Sequence, residues 1–307
     1  MQVRAVPQRG VALVMVLLIV AMATTIAAFM AQQQGFWQRT VENGRDRAQA
    51  RRIAEAGIDW ARAVLADDAS ITKEVDHGKE MWAMRLPAIP VEGGEVQGTI
   101  YDQQGLFNLN NLVRNGAVSM PDLARLQRLL TALGLPQELG GALADWMDTD
   151  SEVTANGAED EYYMNLAQPY RCANRQLADI GELASVKGYD ANIIRRLQPF
   201  VSVLPESNTK VNVNFAPAEV LMAMLPGLTL QDAREIVTRI ATTPFNNTAD
   251  FLQQLPGNVP REGSMLSVSS QFFMVTGYAT QGDGASAVHA LLKRNGIWSS
   301  QVRKSLQ

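Results

Sequence analysis

The chain has 307 residues, with 27 lysines and arginines against 31 aspartates and glutamates, and a formal net charge of -4. This acidic balance argues against nucleic acid or anionic lipid as the main partner. A single cysteine, Cys172, excludes an internal disulfide framework and a cysteine-rich zinc site. With 47% hydrophobic residues, the chain can bury a substantial core in one or two domains.

A short basic head precedes an uncharged apolar run at the N-terminus. Arg4 and Arg9 stand before residues 11–31, which as a helix rising about 1.5 Å per residue span about 30 Å of hydrocarbon. An ordinary secretory signal has a shorter apolar core that ends at a small-residue cleavage site. The sequence therefore predicts a single membrane anchor, with the basic head in the cytoplasm and the bulk of the chain in the periplasm of a two-membrane bacterium.

The junction between Gly10 and Val11 resembles the prepilin-like signal of type IV pilins and type II secretion pseudopilins. This resemblance implies that a prepilin peptidase removes residues 1–10 by cutting after Gly10. Val11 then becomes the first residue of the mature chain, which keeps its apolar helix. From this segment alone, a plain signal anchor is the alternative.

The anchor is predicted to continue as one long helix. No proline occurs between Gln32 and Asp67, and apolar residues recur there at three- and four-residue steps among charged ones. One face of this segment is apolar and the other is polar. This is the lollipop outline of a pilin, in which the first half of the helix lies in the bilayer and the second half packs on a globular head.

The rest of the chain predicts a small antiparallel sheet interrupted by a helical insertion. Strand patterns occur at Glu80–Leu86, Glu95–Asp102, Leu266–Tyr278 and Ser286–Arg294. Helical patterns occur at Met120–Leu133, Gln137–Trp146, Leu177–Ser185, Ala191–Phe200, Pro217–Met224 and Leu230–Ala241. The predicted class is α+β: residues 32–104 and 261–307 form the head, and residues 105–260 form an inserted all-α domain.

Two Asn-x-Asn steps introduce helical hairpins about a hundred residues apart. We expect Asn110 and Asn214 to cap the helices that follow them. The second hairpin is similar to a helix-hairpin-helix, a module that grips DNA phosphates, but Thr229 stands where a second glycine is normal. Nearby acids also outnumber the basic residues, so a DNA-binding receptor is the weaker alternative and a protein-packing unit the stronger one.

The interval from residue 129 to residue 170 contains no lysine, arginine or histidine. Its eight acids are Glu138, Asp145, Asp148, Asp150, Glu152, Glu159, Asp160 and Glu161. Counting from Asp148, the candidate ligands at positions one, three, five, seven, nine and twelve are Asp148, Asp150, Glu152, the Thr154 carbonyl, Asn156 and Glu159. This is the ligand spacing of an EF-hand loop, although Val153 replaces the glycine needed at position six. The pattern predicts an oxygen-rich calcium loop, and a solvated acidic loop is the alternative.

Taken together, these features are similar to the general secretion pathway protein K family, the large minor pseudopilins of type II secretion. The motifs that carry the likeness are Asp102–Leu112, Asp145–Asp150, Gly157–Tyr163 and Val211–Pro226, besides the prepilin-like start. The resemblance covers essentially the whole chain. It implies a pseudopilin head with an inserted α-domain, and a ternary complex with minor pseudopilins I and J. It also implies calcium ligands at Asp148, Asp150, Glu159 and Asp160.

The fifth residue of the predicted mature chain is Met15, where most pilins have glutamate. That glutamate can pair with the N-terminal amine of a neighbouring subunit, so its absence suits the end of a filament. The resemblance thus implies a tip position above the major pseudopilin and a part in starting assembly. Contact with secreted cargo or with the outer-membrane channel is left open, and a type IV pilus minor pilin is the alternative.

An enzymatic role is not expected. The chain has only two histidines, His77 and His289, and lacks the G-x-S-x-G, Walker and H-E-x-x-H motifs. Clustered acids in one short loop suit a cation better than the opposed acid and base of a glycosidase.

Overall fold

The computed structural model describes residues 9–71, 74–84 and 87–306. Its longest element is helix α1, Arg9–Ile71, which has 63 residues. The N-terminal part of α1 is long and apolar enough to cross a membrane. Most of the predicted leader, residues 1–8, lies outside the described residues. From Ala50 onward one face of α1 is buried against the sheet, which confirms the predicted continuation of the anchor into the head.

The head is built on a five-stranded antiparallel sheet whose spatial order follows the chain. Its strands are β1 Ile89–Val91, β2 Gly94–Asp102, β3 Phe272–Gln281, β4 Gly284–Asn295 and β5 Trp298–Leu306. Helix α1 packs closely on this sheet at Gly277, where a Cβ atom would lie only 2.6 Å from the Ala54 carbonyl oxygen. A glycine is therefore required for the helix to approach the sheet. The α+β class is as predicted.

Two of the predicted strands are confirmed, and one is wrong. The segments Glu95–Asp102 and Ser286–Arg294 fall within β2 and β4. The predicted strand Leu266–Tyr278 is split, because Leu266–Ser267 pairs within the insertion and the strand of the main sheet begins at Phe272. The segment predicted at Glu80–Leu86 instead contains a 3-10 turn at Met81–Ala83, and its last two residues lie outside the described ranges. Trp82 is held in this turn by a local bond and by tertiary packing: its indole N–H donates to the carboxylate of Glu80, and its ring packs against Phe215 and edge-on against Phe273.

A large insertion, residues 103–271, separates β2 from β3, although these two strands are neighbours in the sheet. Its helices are α2 Met120–Ala132, α3 Leu139–Met147, α4 Asp160–Met164, α5 Ala191–Leu197, α6 Ala218–Met224, α7 Leu230–Thr242 and α8 Thr248–Gln253. The predicted helix at Leu177–Ser185 is only a 3-10 turn at Ile180–Ser185. The predicted segment 105–260 lies within the insertion, whose own hydrophobic core also includes Leu266 and Val268.

The insertion consists of two units that share a local motif. In each unit a two-residue strand pairs in parallel with a later one: Phe107–Asn108 with Val201–Ser202, and Val211–Asn212 with Leu266–Ser267. The first asparagine of each Asn-x-Asn step is at the end of the first strand. In both units, a short pair of parallel strands thus joins the beginning of the unit to its end.

The asparagines of this motif have different roles from those predicted. Asn108 and Asn212 each accept the N–H two residues ahead, at 3.1 Å and 3.0 Å. Asn110 and Asn214 do not cap helices, so that prediction is wrong. Their amides bind remote backbone: Asn110 pairs with the N–H and C=O of Leu177, and Asn214 with those of Phe245. Both are buried, and a buried amide is satisfied best by such paired bonds.

Candidate metal centre

The acidic loop of the first unit runs from Asp148 to Glu159, between α3 and α4. All nine residues of α3 are buried, and the loop returns along this helix at two glycines. A Cβ atom on Gly141 would lie 2.6 Å from the Ala155 carbonyl oxygen, and one on Gly157 would lie 1.8 Å from Oδ2 of Asp145. Both positions therefore need glycine for the loop to lie against the helix.

This close approach brings three carboxylates together. Asp145, near the C-terminal end of α3, meets Asp148 and Glu159 at the two ends of the loop, and each offers an oxygen within 4.8 Å of the others. We call these three residues the acidic triad. Their side chains are 0%, 1% and 5% exposed. Burial of three like charges in one place is unfavourable without a compensating proton or cation.

Two oxygens of the acidic triad lack a hydrogen-bond partner in the part of the chain that the structure describes. Asp145 accepts the N–H of Thr154 at 3.1 Å, but Oδ1 of Asp148 and Oε1 of Glu159 are buried without a hydrogen-bond partner there. Buried carboxylate oxygens are normally satisfied, so two such oxygens in one cluster make it a candidate site for a water molecule or a cation.

The acidic triad also has perturbed protonation. Burial raises the pKa of Asp148 to about 7, and the charges of Asp150, Glu159 and Asp145 add to the effect. Burial is likewise the main cause that raises the pKa of Asp145 and of Glu159. A divalent cation would reverse these shifts by favouring the ionised carboxylates. The donor set is entirely oxygen, which suits calcium over zinc or copper.

Cys172 is near the acidic triad but does not extend the donor set. Its sulfhydryl donates to the Ala158 carbonyl oxygen at 3.7 Å, and burial raises its pKa to about 12. The sulfur therefore stays a neutral thiol at physiological pH. A protonated thiol is a poor ligand for a hard cation.

The structure groups only two of the five predicted metal ligands, Asp148 and Glu159, with each other. Asp150 is exposed and accepts the N–H of Glu152, which is exposed as well. Asp160 begins α4, where its Oδ1 accepts the N–H of Cys172 at 2.8 Å. None of these three belongs to the acidic triad.

The EF-hand counting missed the third member, Asp145, because it starts at Asp148. The Thr154 carbonyl, predicted as the seventh-position ligand, accepts the Gly157 N–H at 2.9 Å and closes a turn. Asp145 and Asp148 are three residues apart across the end of a helix, and that spacing is the signal that indicates their proximity.

A second group of three buried or half-buried acids, Asp68, Asp76 and Glu80, lies where the head meets the insertion. Here Arg294 supplies the positive charge. Its guanidinium lies 2.7 Å and 2.5 Å from the two carboxylate oxygens of Asp76 and 3.3 Å from Oδ2 of Asp68. Glu80 accepts the indole N–H of Trp82 at 2.8 Å. This group is an internal ion-pair network and is a poor candidate for a metal.

Comparisons with known proteins agree with the division of the insertion into two units. Two family models described as type II secretion system (T2SS), protein K, match residues 105–206 and residues 211–269. These matches end and begin in the segment between the two units.

Relatives with this same protein name match nearly the whole chain. The chain is 36% identical to the type II secretion system protein K of Pseudomonas aeruginosa, over 94% of this chain and 89% of the relative. It is 33% identical to that of Klebsiella pneumoniae, over 94% and 93%. Among solved structures, it matches a chain of the GspK-GspI-GspJ complex from enterotoxigenic Escherichia coli with a TM-score of 0.77 and 24% identity. That match covers 87% of this chain and 99% of the other, and shows a shared fold.

Proposed function

The chain belongs to the type II secretion system protein K family and serves as a minor pseudopilin, and we propose that it forms the tip of the pseudopilus. The observation that carries this function is the 33% and 36% identity to two protein K relatives over 94% of the chain. At the tip it would help to start assembly, and the major pseudopilin would follow below it. Met15, in place of the glutamate of most pilins, supports a position with no preceding subunit to engage.

The proposed partners are the counterparts of GspI and GspJ. The support is the GspK-GspI-GspJ complex, whose matching chain has the same fold as this one. A contact of the tip with secreted cargo or with the outer-membrane channel is part of the same proposal. The proposed role is structural, and we expect neither catalysis nor nucleic-acid binding.

The proposed location is the bacterial inner membrane, with α1 as a single span and the head and insertion in the periplasm. The apolar N-terminal part of α1 supports an anchor, and the arginines before it support this orientation. A prepilin peptidase would cut after Gly10. Intact mass of the full-length protein, expressed with and without the peptidase, tests this. We expect a peptidase-dependent start at Val11, whereas retention of residues 1–10 beside an active peptidase would contradict the proposal.

The acidic triad is the proposed calcium site. Asp145, Asp148 and Glu159 fit the ion because they supply buried oxygens, two of them without partners among the described residues. Calcium would neutralise the repulsion among the three carboxylates and tie the acidic loop to α3. Asp150, Glu152 and Asp160 would act, at most, through water or through their charge.

We further propose that α6 and α7 form a helix-hairpin-helix-like unit that packs on protein. The two helices meet at Gly227, whose φ of +85° favours glycine. On the inner side, Arg128 of α2 donates to the Ala223 carbonyl oxygen at 2.8 Å. This contact joins α6 to α2 within the insertion, which supports packing over a DNA-binding role.

Deletion and complementation test the proposed function. A host that lacks its own protein K should secrete its type II substrates again when it receives this gene together with the cognate genes for I and J. A host that lacks a type IV minor pilin should gain neither pili nor twitching. The reverse pattern would favour the type IV pilus alternative and would overturn the proposal.

A further inference from the structure

Three arginines come close together where the two units of the insertion meet. Arg125 and Arg128 are three residues apart on α2, a spacing that makes their side chains neighbours on the helix surface. Arg114 comes from the turn of chain that precedes α2. Arg114 and Arg125 contact the two oxygens of one carboxylate, that of Asp122, at 2.5 Å and 2.6 Å. We call Arg114, Arg125 and Arg128 the arginine cluster.

The arginine cluster also touches the second unit of the insertion. Nε of Arg128 donates to the Ala223 carbonyl oxygen of α6 at 2.8 Å. A guanidinium nitrogen of Arg114 lies 3.8 Å from the sulfur of Met265. The cluster belongs to the first unit, whereas α6 and Met265 belong to the second. Whatever binds the cluster therefore acts on the contact between the two units.

The charges of the arginine cluster are not balanced by the described residues. Asp122 is fully buried and forms ion pairs with Arg114 and Arg125. Arg128 forms no ion pair within the described ranges, and its one bond is to a neutral carbonyl oxygen. Three positive charges thus share one negative charge. Burying positive charges side by side is unfavourable unless an anion compensates them.

The protonation of Arg128 reflects this imbalance. Burial lowers the pKa of the Arg128 guanidinium, and the charge of Arg125 lowers it further. A guanidinium nevertheless stays charged at neutral pH, so the lowered pKa measures an unfavourable environment rather than a loss of charge. An anion beside Arg125 and Arg128 would remove the cause of this shift.

Hydrogen-bond donors also exceed acceptors in the arginine cluster. Nε of Arg114 is buried and has no hydrogen-bond partner among the described residues. The side chains of Arg114 and Arg125 are 33% and 15% exposed, so the cluster is recessed but open to solvent. A recessed site of this kind is reached more easily by a small ion than by the surface of another protein. An ion with several oxygens would supply the missing acceptors.

We propose that the arginine cluster binds a small, doubly charged oxyanion, sulfate or inorganic phosphate, between Arg125 and Arg128. Guanidinium groups recognise such ions because their N–H donors form a planar fork that fits two oxygens at once. Two negative charges equal the excess of three arginines over one aspartate. The site is separate from the acidic triad and does not depend on the role in the pseudopilus. The bound ion would remove the repulsion between Arg125 and Arg128 and so strengthen the contact of α2 with α6.

Titration calorimetry of the full-length protein in detergent tests this, with sulfate as the probe and chloride used to keep the ionic strength constant. We expect saturable binding of one sulfate per chain. Arg128→Met keeps an unbranched apolar stem but removes the charge, and should weaken sulfate binding roughly tenfold or more. Arg234→Met removes the same charge from an exposed position on α7 and is the matched control, with unchanged affinity expected. Absence of saturable binding, or equal affinity in Arg128→Met and the unaltered protein, would overturn the proposal.

A more conservative variant keeps the test valid if Arg128→Met does not fold. Arg128→Lys retains the charge but not the planar fork, so we expect sulfate affinity between that of Arg128→Met and that of the unaltered protein. Affinity equal to that of the unaltered protein would contradict recognition by the guanidinium fork. Acetate, which carries a single charge, should bind more weakly than sulfate. Equal affinity for acetate would contradict the assignment of a doubly charged ion.

Hydrogen exchange locates the bound ion. Sulfate stabilises many proteins without binding them, so a rise in melting temperature alone is not sufficient. We expect sulfate to slow amide exchange in α6 more than in α8 of the unaltered protein and of Arg234→Met, because only α6 contacts the cluster through Arg128. This difference should disappear in Arg128→Met. The same slowing of α6 in Arg128→Met would place the ion elsewhere and would overturn the proposal.

Discussion

Two groups of acids in this molecule are buried, but their negative charge is balanced in different ways. At the base of the insertion, Asp76 is fully buried but has the guanidinium of Arg294 on its carboxylate, at 2.7 Å and 2.5 Å. In the acidic triad, Asp145, Asp148 and Glu159 are equally buried, but the described chain supplies no cation among them. The first group has its counter-charge in the sequence, and the second requires a proton or an ion.

The contrast shows why the chemistry of a buried acid depends on what surrounds it. Asp76 has a guanidinium against its carboxylate, whereas burial and three neighbouring acids raise the pKa of Asp148 to about 7. The group with an internal cation connects the insertion to the head without any added ion. Because the acidic triad has no such cation among the described residues, we expect the stability of the first unit to depend on the pH and the calcium concentration of the solution.

The largest expected effect follows from removing the internal cation. Arg294→Met keeps an unbranched apolar side chain but removes the guanidinium, and so leaves the buried charge of Asp76 without its cation. We expect it to lower the free energy of unfolding by about 3–5 kcal/mol, measured by chemical denaturation of the full-length protein in detergent. Arg303→Ala, which breaks a pair with the exposed Asp179, should cost about 1 kcal/mol or less. Equal losses in the two variants would show that the buried pair stabilises the fold no more than the exposed pair.

The next largest effect concerns stabilisation by calcium at the acidic triad. Saturating calcium at about a hundred times its dissociation constant should stabilise the unaltered protein by about 2.7 kcal/mol, seen as a rise in melting temperature that chelator reverses. The double variant D148N/E159Q should lose this response and should be more stable than the unaltered protein in chelator, because the repulsion is gone. A calcium response that survives in this variant would mean that the ion binds elsewhere.

The pH dependence should differ with and without calcium. In chelator, folded Asp148 keeps its proton up to about pH 7, while in the unfolded chain it releases it near its ordinary value of 3.8. The folded state therefore binds more protons between these values, and stability should fall as pH rises from about 4 to 7, then level off. Asp102, whose pKa burial also raises to about 7, adds in the same direction.

Calcium should oppose this trend, because it binds the ionised carboxylates and its affinity rises with pH. Thermal melts over pH 4–8, with calcium and with chelator, provide the measurement. Asp148→Asn should reduce the slope in chelator and leave the contribution of Asp102. An identical slope in Asp148→Asn would show that Asp148 does not titrate in this window.

The smallest expected effect separates the EF-hand spacing from the observed geometry. Asp150→Asn removes an exposed charge that the spacing makes a direct ligand, although the structure leaves it outside the acidic triad. We expect a change in stability within about 0.5 kcal/mol and a modest loss of calcium affinity, measured by titration calorimetry. A loss of calcium affinity as large as that caused by Asp148→Asn would show that Asp150 is a direct ligand, as the EF-hand spacing predicts.

Local patterns of the sequence predict the elements that rely on local physics. The strands predicted from β-forming residues at Glu95–Asp102 and Ser286–Arg294 are confirmed within β2 and β4, and the helical patterns of α1, α2 and α7 are confirmed as helices. The turn at Met81–Ala83 could not be predicted in this way. Its conformation depends on Trp82, whose ring packs on Phe215 and Phe273 far along the chain.

The same limit applies to the candidate site. Asp148 and Glu159 are visible in the sequence as ends of one acidic loop. The loop lies against α3 because of close contacts at Gly141 and Gly157, and no spacing rule contains that information. The pairing of Asp76 with Arg294, which are 218 residues apart, is likewise a consequence of the completed fold.

The placement of the insertion between two neighbouring strands determines the order in which the molecule can be completed. β2 and β3 pair from Gly94 with Gln281 to Asp102 with Phe273, so the sheet closes only after the whole insertion has been synthesised. A chain that stops before Phe272 retains every residue of the insertion but only two of the five strands. Folding of the insertion before β3 pairs would bring the ends of β2 and β3 together and would lower the entropic cost of joining them. We therefore expect the folded insertion to hold β2 and β3 close together, and we expect only chains that extend through β5 to form the complete sheet.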